Sequence, residues 1–70
     1  MKAILEFNLP EDRDEFTIAN NAMNFYLTCR NLDEWLRREI KYYNRKELQE
    51  ARDKLFEYME YRNINLDMIE

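Results

Sequence analysis

The stretch from Asn24 to Tyr43, NFYLTCRNLDEWLRREIKYY, constrains this chain more than any other. Phe25, Cys29, Leu32, Leu36, Ile40 and Tyr43 recur at steps of three or four, the spacing that lines up side chains along one face of a helix. Arg30, Glu34, Arg37, Arg38 and Lys41 fill the other side. A helix of about 20 residues is about 30 Å long and crosses a small domain. The rest of the chain is short enough to pack on it.

The composition agrees with helices joined by short connections. Glycine is absent and proline occurs once among 70 residues. A turn-rich β fold and the usual phosphate-cradling loops both rely on glycine for positive φ or close backbone approach. A core this small typically supplies only ~3–5 kcal/mol of net stability without staples or a partner. One cysteine rules out an internal disulfide, and with no histidine it cannot build a usual zinc site. No apolar run approaches the length of a membrane span, and no signal region follows Met1, so a cytoplasmic protein is expected.

Before the central helix, Ala3, Leu5, Phe7 and Leu9 alternate with Lys2, Ile4, Glu6 and Asn8. This period of two predicts a short strand, to be paired with Ile64–Asp67 or with the same strand of a second chain. Pro10 predicts a helix start, and Glu11, Asp12, Asp14 and Glu15 place negative charge where a helix dipole favours it. Asn20-Asn21 predicts a break, and Asn44 ends the central helix. A last helix over 45–62 carries Leu48, Ala51, Leu55, Tyr58 or Met59 and Arg62 on one face. The expected fold is therefore mainly α with a minor β part. It is a single domain over 1–70, with an N-terminal strand, two to three helices in a small bundle, and a second short strand at the C-terminus.

Function is less constrained. No serine, histidine or glycine is present, so a catalytic site is not expected, nor is a metal or cofactor site. Cys29 lies on the apolar face, with no histidine to activate it. Arg30, Glu34, Arg37 and Lys41 form one stripe, with Arg38 beside it and Trp35, Tyr42 and Tyr43 nearby, and these basic and aromatic residues have the chemistry to grip a nucleic-acid strand. The net charge of −4 and the interleaved Glu34 and Glu39 favour a solvated face instead, in which Glu34 pairs with Arg30 and Arg38. Aromatic residues make up 14% of the chain, more than so short a core can enclose. Exposed Tyr and Trp are common anchors of protein interfaces, so a protein partner or a homodimer is expected.

Two segments resemble a group of small tailed-phage accessory proteins. They are Phe7-Asn8-Leu9-Pro10-Glu11-Asp12 with Glu15-Phe16, and Leu32-Asp33-x-Trp35-Leu36-Arg37 with Ile40-Lys41-Tyr42. The resemblance implies a phage-encoded, non-virion protein acting in the host cytoplasm and brings no catalytic residue with it. From that class comes the expectation of a non-enzymatic binder of a host or phage protein, for example an inhibitor of a host defence or nucleic-acid-processing enzyme. The alternatives are a replication or recombination accessory that binds nucleic acid through the Arg30–Lys41 stripe, and a nucleic-acid mimic built on Glu11, Asp12, Asp14 and Glu15. On either protein-binding reading, Trp35, Arg30, Arg37, Arg38, Lys41, Tyr42 and those four acids are the candidate partner-binding residues.

Overall fold

The computed structural model describes residues 1–68. Three α-helices follow one another: α1 (Arg13–Asn20), α2 (Ala22–Tyr42) and α3 (Gln49–Tyr61), with a 3-10 turn at Lys46–Leu48 leading into α3. A tight turn bonded from Asp12 N–H to the Asn8 carbonyl (2.8 Å) precedes α1, and Pro10 lies in this turn rather than in the helix. Asn21 separates α1 from α2 with φ −108° and ψ 9°, and its side-chain amide donates to the Thr17 carbonyl at 2.9 Å.

In a chain without glycine, asparagine takes the left-handed positions. Asn44 after α2 has φ 53° and Asn63 after α3 has φ 56°. Asn is the residue best able to replace glycine there, because its short side chain tolerates that region. At Asn63 the helix end is capped. Asn63 N–H donates to the Glu60 carbonyl and Ile64 N–H to the Met59 carbonyl, each at 3.0 Å. This is the Schellman arrangement, which satisfies carbonyls that α3 would otherwise leave bare.

Neither expected strand forms among the described residues, whose regular secondary structure is helical. The Ile64–Asp67 segment is used otherwise. Ile64 closes the α3 cap, Asp67 N–H donates to Asn65 Oδ1 (2.8 Å), and the Leu66 carbonyl accepts the Tyr26 hydroxyl. With those groups engaged there is no free edge to pair. Residues 2–8 then have no ladder to join, and Asn8 directs its carbonyl and N–H back to Asp12. Phe7 packs edge-on against Phe16 of α1, with ring centroids 5.6 Å apart. The alternation of residues 2–9 is a pattern without a partner, and a lone strand does not hold.

The helices meet along a line different from the expected one. On α2 the positions turned from solvent are Tyr26, Cys29, Asp33, Leu36, Glu39 and Ile40. Phe25, Leu32 and Tyr43 are exposed. From α3, Met59 is buried and Arg52 and Leu55 are half-buried. The apolar core among the described residues consists of Leu36 (3% exposed) and Met59 (5%), beside a buried Asp33 (8%). Asp33 faces α3 because Arg52 Nε donates to its Oδ1 at 2.8 Å.

So small a core leaves the chain extended. Its radius of gyration is 16.0 Å and its extents are 49 × 28 × 19 Å. A compact chain of this length has a radius near ~11 Å. The accessible surface is 6693 Å², whereas a compact monomer of this mass exposes about 4,800 Å².

Candidate interaction surface

The exposed surface divides into three regions. The first is basic. In the C-terminal half of α2, Arg37, Arg38 and Lys41 surround an open depression of about 270 Å³ with Glu34 and Tyr42. Arg30 pairs with Glu34 across one helical turn (3.5 Å), as expected, but Arg37, Arg38 and Lys41 make no ion pair among the described residues. Lys41 lies over the Tyr42 ring at 5.3 Å. Three unneutralised cations on one turn and a half of helix make a local positive field in an otherwise acidic protein.

The second region is acidic and stands apart. Glu11, Asp14 and Glu15 are exposed at the start of α1. Asp12 is half-buried, and its Oδ2 accepts the Asn8 N–H at 2.9 Å. Asp12 therefore holds the turn. No ion pair joins these acids to the basic patch among the described residues. The Arg30–Lys41 stripe is thus brought together by one helix, while the four acids form a separate site at best.

The third region is apolar. Ile18, Phe25, Tyr26, Met59, Ile64 and Met68 line a groove of about 510 Å³ where the α1–α2 junction meets the segment after α3. Along α2, Trp35 is partly exposed beneath the Arg45 guanidinium, 5.7 Å from the ring centre. Arg45 also reaches Glu39 (3.4 Å) and Glu47 (3.3 Å). This clamp follows from the left-handed Asn44, which turns the chain back so that Arg45 N–H meets the Glu39 carbonyl at 3.1 Å.

Sequence reasoning did not find the groove, the Arg45 clamp or the Asp33–Arg52 pair. Each joins positions distant along the chain or set by a turn. No group of three or more potential metal ligands occurs among the described residues, and no helix among them is long and apolar enough to cross a membrane. Compared with known proteins, the chain matches no family profile, no curated protein and no solved structure.

Proposed function

We propose that this chain is a small, non-enzymatic accessory protein of phage origin whose work is to bind another protein. The observation that carries the reading is the uncovered apolar surface. Phe25, Leu32, Trp35, Tyr42, Tyr58 and Tyr61 all stand at least two-fifths exposed on a chain whose core is Leu36 and Met59. Exposed aromatic side chains in this number are the usual anchors of protein contacts. Blocking a host defence or nucleic-acid-processing enzyme suits such a protein, because occupying a surface needs no catalytic group.

Affinity capture with the tagged chain from a bacterial host lysate treated with nuclease is expected to return one protein in equimolar amount. Recovery of nucleic acid alone from untreated lysate, with no protein, overturns the reading.

The basic patch favours a second reading, nucleic-acid binding, because Arg37, Arg38 and Lys41 make no ion pair among the described residues. On that reading, DNA is retarded in gel shifts at low salt, and Arg37→Glu with Arg38→Glu abolishes the retardation. Phosphate contacts also make binding fall steeply as salt rises. No shift at about 50 µM protein, within the usual range for non-specific binding, removes it.

A further inference from the structure

We propose that the chain is a two-fold dimer in which α2 pairs antiparallel with the α2 of a second copy, along Phe25, Thr28, Leu32, Trp35, Glu39 and Tyr42. These six positions follow one another at alternating steps of three and four, the pattern of a seven-residue repeat. That period forms the seam of paired helices. The seam is not the edge that α3 covers, which runs through Tyr26, Cys29, Asp33, Leu36 and Ile40. The four large side chains of the seam are between 40% and 68% exposed; Arg45 of the same chain lies over Trp35 and pairs with Glu39, whose side chain is 20% exposed, so it flanks the C-terminal half of the seam.

Two features on the seam select a second copy as its occupant. The order of residue types is a palindrome: apolar, polar, apolar, apolar, polar, apolar. Antiparallel pairing about a two-fold axis between Leu32 and Trp35 sets Phe25 against Tyr42, Leu32 against Trp35, and Thr28 against Glu39. The parallel alternative sets Glu39 against Glu39, placing like charges together. In the antiparallel pair the two Glu39 stand apart, each opposite a Thr28 whose hydroxyl donates to its own Asn24 carbonyl (2.8 Å), and each Glu39 charge is matched by Arg45 of its own chain at 3.4 Å. The polar flank is compatible too, with Arg38 accompanied by Asn24 and Asn31, both uncharged.

The second feature is area. Each chain exposes 6693 Å², about 1,900 Å² more than a compact monomer of its mass. A standard interface needs about 800 Å² from each partner, so the surplus is ample for a second copy to cover, and a copy is always present in equal amount.

Light scattering of the purified, unmodified chain over about two decades of concentration is expected to give twice 8.8 kDa. A constant mass of 8.8 kDa overturns the dimer and hands the seam to a foreign partner. The register is read by cross-linking in a Cys29→Ala background. Thr28→Cys and Glu39→Cys chains, mixed and refolded together, are expected to form a disulfide-linked pair under mild oxidation, while neither forms one alone. Self-linking of Thr28→Cys, or a dimer with no link in the mixture, overturns the antiparallel seam. Both measurements use purified protein, so their outcome is separate from that of the lysate capture.

Discussion

Leu36→Ala is expected to leave the chain without a cooperative unfolding transition at room temperature. Leu36 and Met59 are the apolar side chains this fold encloses, at 3% and 5% exposure among the described residues. Truncating a buried leucine to alanine costs about 2–5 kcal/mol, since transfer free energy is lost and a cavity remains. A domain of this length holds about 3–5 kcal/mol in all. The loss therefore consumes most of the margin, and at ~3 kcal/mol it changes the folded-to-unfolded ratio more than a hundredfold. Leu27, an exposed residue on the same helix, is the control. Leu27→Ala is expected to stay within about 0.5–1 kcal/mol of the parent. Helicity followed through a urea titration, at one fixed protein concentration because association contributes to stability, reads both variants. Equal small losses would place the core elsewhere.

The order and approximate limits of the helices were legible, for physical reasons visible in particular residues. Apolar residues at steps of three and four from Phe25 to Tyr43 define a helix with a wide apolar arc, and the structure has α2 there. Asn20-Asn21 marks a real break, since α1 ends at Asn20 and α2 begins at Ala22. The phase of the arc was not legible. A wide arc has two edges, and periodicity cannot say which one a neighbour covers. The edge is chosen by Arg52, nineteen positions from Asp33, which draws the carboxylate and the adjoining Leu36 inward. Phe25 and Leu32, which the periodicity joins to the buried face, lie on the uncovered edge instead.

The two strands failed for a related reason. A period of two over residues 2–9 states which side chains share a face and nothing about a partner. The partner expected at Ile64–Asp67 is consumed by the left-handed Asn63 and the turn at Asn65. Those bonds follow from the absence of glycine, which assigns asparagine to the helix end. The candidate site divided in the same way. The basic stripe was legible because one helix carries it, as sequence spacing alone requires. The acids at 11–15 share only a sign with a partner-binding role, and Asp12 is occupied in the turn before α1.

The buried ion pair offers the second large effect. Arg52→Met is expected to cost about 2–3 kcal/mol, below the 3–5 kcal/mol typical of breaking a fully buried pair. Two facts set the figure. The Asp33 side chain is 11% exposed and its bond to Arg52 is 2.8 Å long, so the carboxylate left behind has little access to water. Arg52 is 28% exposed, so solvent already screens part of the attraction. Methionine keeps an apolar stem of similar length and gives up the guanidinium, which stands 5.1 Å from the Phe56 ring centre. The loss then reports on the charge rather than on missing packing. Removing the other partner as well reverses the logic. Asp33→Leu together with Arg52→Met extends the apolar line of Leu36 and Met59, and replacing a buried pair by apolar residues of similar size is commonly neutral or stabilising. The double variant is therefore expected to be at least as stable as the parent, even though Arg52→Met alone is the less stable. A urea double-mutant cycle measures this directly. A double variant as weak as Arg52→Met would show that the pair supplies orientation between α2 and α3 that an apolar contact does not replace.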